Sequence, residues 1–235
     1  MRAAVPVATF PATCLLALVA LAAACGSGPD PADARASLRP VGPNELRAPA
    51  DFATIADDGA RSQALFLEAS RVMFHPRCVN CHPDGDTPLQ GEAGLLHDPP
   101  VTRGADDFGV AGLGCPGCHQ EKNLDHARVP GAPKWHLAPR EMAWVNRSPH
   151  ELCEQLKDDD RNGGKTIAQI VEHTAHDELV AWGWNPGHGR PPAPGTQAQF
   201  GALMKAWMDA GAECPDASVR IGATLEKKGT EGGAR

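Results

Sequence analysis

After residue 25 this chain has no apolar run long enough to cross a bilayer of roughly 30 Å as a helix. It has no convincing strand pattern, no βαβ signature and no excess of basic side chains. The last absence argues against a nucleic-acid partner, which would need a basic face or stripe. With 22 Lys and Arg against 29 Asp and Glu, the net charge is −7, which suits a domain that docks with partners of opposite charge. The length of 235 residues is enough for one sizeable core with appendages.

What is present begins with an export signal. Arg2 supplies a basic start, and Thr13 to Ala24 are almost all Ala, Leu and Val before Cys25. Such a segment is a targeting sequence rather than part of the fold. The ending Leu21-Ala22-Ala23-Ala24-Cys25-Gly26 has the character of a lipobox, with its large apolar residue one place further back than usual. A signal peptide over 1–24 with acylation of Cys25 is the expectation; a plain cleaved signal and a retained anchor are the alternatives. Residues 25–50, rich in Pro, Ala, Gly and Asp, read as a flexible tether, 51–216 as the folded domain and 217–235 as a disordered tail.

Within the domain, four segments have helical periodicity. Ser62 to Phe74 carries Leu65, Phe66, Ala69, Val72 and Met73 on one stripe and is stopped by Pro76. A second helix starts at Ser148, with Glu151 at capping-box spacing and Pro149 at the first position. A third starts at Thr166 with Gln169. A fourth starts at Thr196, with Phe200, Leu203, Met204, Trp207 and Met208 inside it, and closes at Gly211. The expected fold is therefore mainly α, with about four helices and long Gly- and Pro-rich loops over His82 to Trp135 and Trp182 to Gly195. Loops of that length are uncommon unless something buries them.

The cysteines say what that could be. Of eight, Cys14 and Cys25 belong to the leader. Cys153 and Cys214 form one even pair in an exported chain, which reads as a disulfide, with two buried thiols as the alternative. The other four stand in Cys78-Val79-Asn80-Cys81-His82 and Cys115-Pro116-Gly117-Cys118-His119. Both are C-x-x-C-H. Two thiols three positions apart can form thioethers to the two vinyl groups of one haem, and the next histidine then lies under the iron as proximal ligand. A four-cysteine zinc site would also use paired C-x-x-C, but it gives no reason for a histidine directly after both pairs. A thioredoxin-like pair would want a βαβ setting.

The expectation is two covalently bound haem c groups, with His82 and His119 as proximal ligands, in a loop-rich multihaem cytochrome c-like domain. Only 37 positions separate Cys78 from Cys115, too few for tandem single-haem domains, so both haems share one unit. His97, His136, His173 and His176 are the candidate distal ligands, with Met142 behind them. Met204 and Met208 fall on the apolar stripe of the last helix, and His126, His150 and His188 lie in polar or Gly-rich surroundings. His75 ends the first helix, where a histidine can answer the helix dipole.

The segments His75 to Pro83, Pro130 to Pro139 and Glu172-His173-Thr174-Ala175-His176-Asp177 through Trp182-Gly183-Trp184 resemble a bacterial c-type cytochrome-like family known as isoquinoline 1-oxidoreductase subunits. The resemblance runs from about Leu65 to Cys214. It implies partnership with a molybdenum hydroxylase. Having no plant-type iron–sulfur cysteine array and no room for a molybdopterin domain, this chain would be the electron-accepting side of such a pair. The expected function is electron transfer on the periplasmic side of the bacterial envelope, from a periplasmic dehydrogenase or hydroxylase to a respiratory cytochrome, with a membrane link through the lipid anchor. The rival readings are a peroxidase-like haem enzyme and a haem-based sensor, each with one five-coordinate iron. Whether the chain is itself an enzyme stays open at this point.

Overall fold

A computed structural model describes residues 38–220. The signal segment, Cys25, the first part of the tether and all but the start of the tail lie outside the described residues. The described chain is helix-rich: seven α-helices, five 3-10 turns and two two-residue-stranded hairpins. No helix among the described residues is long and apolar enough to cross a membrane.

The core forms around α1 (Asp58–Met73), of whose 16 residues 11 are buried. It starts four residues before the expected Ser62 because Asp57 caps it, accepting from the Ala60 amide at 2.7 Å. Helix α2 (Pro76–Val79) follows at once. Pro76 does not simply stop α1; it is the first residue of this new turn, where its missing N–H costs nothing. Helix α3 is Cys115–Cys118, α4 Pro149–Lys157, α5 Ile167–His176, α6 Glu178–Ala181 and α7 Gln197–Asp209. The capping boxes of α4 (Ser148 with Glu151) and α5 (Thr166 with Gln169) are both formed.

Helix α7 packs on one side against α1 and on the other against α5. Against α1 it brings the Trp207 ring to 5.0 Å from Phe66. The buried Ser62 hydroxyl donates to the Trp207 carbonyl at 3.1 Å and accepts from the Glu213 amide at 3.0 Å, so it carries no desolvation penalty. Against α5 the approach is closer. A Cβ on Gly201 would stand 2.5 Å from that of Ala175, so glycine is what lets the two helices meet there. The Cys153–Cys214 disulfide ties α4 to the segment after α7, with a Cα–Cα distance of 5.5 Å.

Two sequence expectations need correction. The tether does not extend to residue 50. Leu38 and Leu46 are buried in the core, the Gly195 amide donates to the Asn44 carbonyl at 2.9 Å, and Arg47 reaches Glu68. That carboxylate is 1 % exposed and pairs with both Arg47 and Arg71 at 2.6 Å. The Arg47–Glu68 and Asn44–Gly195 contacts span more than 20 residues and leave no local periodicity. The second correction concerns strands. The long loop contains β1 (Leu89–Gln90) paired with β2 (Leu95–Leu96), and β3 (Gly109–Val110) paired with β4 (Leu113–Gly114), both antiparallel. Two residues per strand are too few to display alternation.

Candidate functional site

Helix α2 and the turn after it hold the first cysteine motif. The His75 ring nitrogen Nδ1 caps this turn, accepting from the Arg77 amide at 3.2 Å. His75 therefore serves the start of α2 rather than the end of α1. The Cys81 amide donates to the Cys78 carbonyl at 3.0 Å, as does His82 to Val79, which carries the turn through the motif and sets both thiols on one side. Burial pushes the Cys78 thiol up to about 12 and, with a contribution from Cys115, the Cys81 thiol up to about 11. A catalytic or redox-active thiolate needs the opposite shift.

The His82 ring is held by two contacts. Its Nδ1 lies 2.9 Å from the Met142 carbonyl, and since a carbonyl can only accept, Nδ1 carries the proton and Nε2 keeps its lone pair. The Trp144 ring stacks on it with centroids 3.4 Å apart and planes 11° apart. Burial, with the nearby His173, Arg103 and His136, lowers its pKa to about 3 despite the hydrogen bond to Met142. The ring is thus neutral throughout the physiological range, as a metal ligand must be.

The second motif repeats the arrangement. The β3–β4 hairpin delivers the chain into α3, and the His119 amide closes the turn on the Cys115 carbonyl at 2.9 Å. His119 Nδ1 donates to the Pro130 carbonyl at 2.7 Å, and the Trp135 ring stacks on it at 4.6 Å and 7°. The carbonyl is positioned by Gly131, where a Cβ would lie 2.4 Å from the Lys122 carbonyl oxygen. Burial lowers the pKa of His119 too.

A cavity of about 150 Å³, partly open to solvent, lies beside Cys78, Cys81 and His82. Its walls are mostly apolar, from Met73, Leu156, Ile170, Phe200 and Met204, with Arg77 and Lys165 as the two cations. Trp144 also lines it, and the indole N–H of Trp144 is buried without an acceptor. An apolar slot with cations and an orphaned donor in its wall fits a flat macrocycle bearing carboxylates. Around the second motif the fit takes another form. The exposed large apolar side chains among the described residues are Leu95, Leu96, Phe108, Val110, Leu113 and Leu124. All belong to the loops and hairpins flanking Cys115–His119, where a large apolar group attached to those cysteines would meet them.

The zinc alternative meets a geometric obstacle. Tetrahedral thiolate ligation at ~2.3 Å requires the four sulfurs to converge. Among the described residues, the only group of three or more potential ligand side chains with atoms within 4.8 Å is the surface run Asp158, Asp159 and Asp160. The motif cysteines do not converge in that way.

The four distal candidates separate. His173, on α5, and His136 both line the cavity beside His82. His173 Nδ1 is 3.3 Å from an Asp177 carboxylate oxygen, while His136 donates to the Lys134 carbonyl and stacks on Phe108 at 4.7 Å. His97 follows β2 and stands beside His119, ring centroids 5.9 Å apart. His176, 69 % exposed and facing Glu172, lines neither place. Met142 is buried and supplies its carbonyl to His82. The residues that sequence reasoning missed are Trp144, Trp135, Arg77 and Lys165; Trp135, adjacent to a candidate histidine, and Arg77, adjacent to Cys78, had a local signal. Comparisons with known protein families, with curated proteins and with solved structures found no match.

Proposed function

We propose that the chain is a c-type cytochrome that binds two haems covalently, through Cys78 and Cys81 with His82 and through Cys115 and Cys118 with His119, and that it transfers electrons. The observation that carries this reading is a repeated one. In both motifs the histidine following the second cysteine has Nδ1 on a backbone carbonyl, a tryptophan stacked on its ring and Nε2 free. A carbonyl that accepts from the far ring nitrogen fixes the tautomer and orientation of a metal-binding imidazole. When bound, the haems supply one-electron exchange between Fe(II) and Fe(III). The chain's own residues hold the two motif imidazoles oriented and offer a mostly apolar slot with Lys165 and Arg77, the latter paired with Glu92, in its wall.

The proposed setting is the periplasmic side of a bacterial envelope, with Cys25 as the lipid anchor. The donor is a periplasmic dehydrogenase or hydroxylase and the acceptor a respiratory cytochrome. The leader sequence supports the location, and the motif resemblance supports the donor. The test is intact mass after acid denaturation of protein made in a host with haem-attachment machinery. Two haem additions are expected, and Cys115→Ala/Cys118→Ala should carry one. Protein that contains zinc and shows no Soret band overturns the reading.

A further inference from the structure

We infer that His97 is the sixth ligand of the haem attached at Cys115 and Cys118, so that His97 and His119 form an axial pair across its iron. This rests on the two-haem reading above. Three independent observations lead to it.

The first is distance. Two metal–nitrogen bonds of ~2 Å, with about 1.1 Å from each bonding nitrogen to its ring centre, separate the centroids of an axial imidazole pair by about 6.2 Å. The His97 and His119 centroids are 5.9 Å apart, with ring planes at 66°. Axial imidazoles can take any mutual rotation about the bond axis, so the angle is no obstacle.

The second is the state of the nitrogens. His97 Nδ1 lies 2.9 Å from the Pro99 carbonyl, as His119 Nδ1 lies 2.7 Å from that of Pro130. Each carbonyl fixes the proton on Nδ1 and leaves Nε2 as the donor. The His97 backbone is itself anchored, its amide donating to the Pro88 carbonyl at 3.0 Å. This orientation is in place without any help from a metal.

The third is the surface that accompanies the ring. Leu95 and Leu96, immediately before His97, are 64 % and 69 % exposed. Val110 and Leu113 of the other hairpin are exposed as well. One hairpin presents His97 and apolar side chains; the other presents apolar side chains and leads directly into Cys115. The haem carried by that motif is the group that covers them.

With both axial positions filled from the chain, the second centre is six-coordinate and low-spin, closed to peroxide and other small ligands. Two imidazoles also place its potential below that of a histidine–methionine centre.

The experiment uses the full holoprotein and electron paramagnetic resonance. In wild type the second centre should give a bis-histidine low-spin signal with no sulfur-to-iron charge-transfer band. His97→Ala should retain two haems by mass, convert one of the two from low to high spin, and recover low spin when imidazole is added. His97→Met, which keeps a ligand and so guards against a variant that fails to fold, should introduce the charge-transfer band and raise one potential. His126→Ala, in the neighbouring exposed turn, should change nothing. A His97→Ala protein with two haems and an unaltered spectrum overturns the assignment and leaves the cytochrome reading intact. Wild type with no haem by mass overturns both.

Discussion

The disulfide between Cys153 and Cys214 closes a loop across 61 positions of sequence. In the chain-entropy treatment, tying ends at that separation removes about 4 kcal/mol of freedom from the unfolded state. Cys214→Ser removes the cross-link and little else, since Cys214 is only partly buried and Cys153 remains as a small apolar residue in the core, 0 % exposed. Cys153→Ala removes the same cross-link and also a buried sulfur, adding about 1 kcal/mol. The two variants should share a loss of about 4 kcal/mol and differ by the packing contribution. For a domain of this size each kcal/mol moves the melting temperature by about 2–4 °C, so the common shift is about 8–16 °C. The assay is a thermal or urea melt followed by far-ultraviolet circular dichroism. It is repeated on wild type treated with a thiol reductant, which should match Cys214→Ser, because Cys153–Cys214 is the disulfide among the described residues. The bridge joins α4, which contributes Leu156 to the cavity, to the end of α7, which contributes Phe200 and Met204. Below its transition the variant should keep the wild-type far-ultraviolet spectrum, because Leu156, Phe200 and Met204 stay packed in the same core cluster as Cys153. Melting of Cys214→Ser within about 1 °C of wild type would refute the loop-closure reasoning.

Glu68→Gln should cost about 3 kcal/mol in a urea melt, because it strands Arg47 and Arg71 around a buried neutral group. Arg47→Ala should cost less, as Arg71 still pairs with the carboxylate; equality with wild type would show that residues 38–50 do not belong to the folded unit. At the haem proposed for Cys78 and Cys81, His173→Ala should give a high-spin signal and His176→Ala should leave the spectrum unchanged, because His173 lines the cavity with His82 and His176 does not; the reverse result refutes this placement. Cys25→Ser should release the protein from the membrane fraction, and wild type recovered wholly soluble with a free N-terminus rejects the anchor.

Helices were legible where local chemistry defines them. Ser148 with Glu151 and Thr166 with Gln169 announce α4 and α5 through donors and acceptors three residues apart, and the structure starts both helices there. The start of α1 was not legible from its apolar stripe, because the stripe records what the helix buries and the first turn is set by Asp57. Residues 38–50 looked like a tether for a related reason. Their order depends on Glu68, on Arg71 and on the Gly195 amide, none of which leaves a trace in local composition. The hairpins failed the periodicity test simply by being two residues long per strand.

The site divides along the same line between local and long-range causes. The proposed attachment and proximal residues rest on C-x-x-C-H alone, because that spacing is local: one helical turn sets two thiols and an imidazole. What orients that imidazole comes from far away, His82 from Met142 and Trp144, His119 from Pro130 and Trp135. Composition could only name four histidines as distal candidates. Contacts separate them: His97 beside His119, His136 and His173 at the cavity of His82, His176 on the outer side of its helix. His173 and His176 show why sequence could not do this. They are three residues apart on α5 and equally plausible as a pair, yet a three-residue step on a helix turns the side chain by about 300°. That leaves the two directions about 60° apart, enough to put one ring in the cavity wall and the other in solvent beside Glu172.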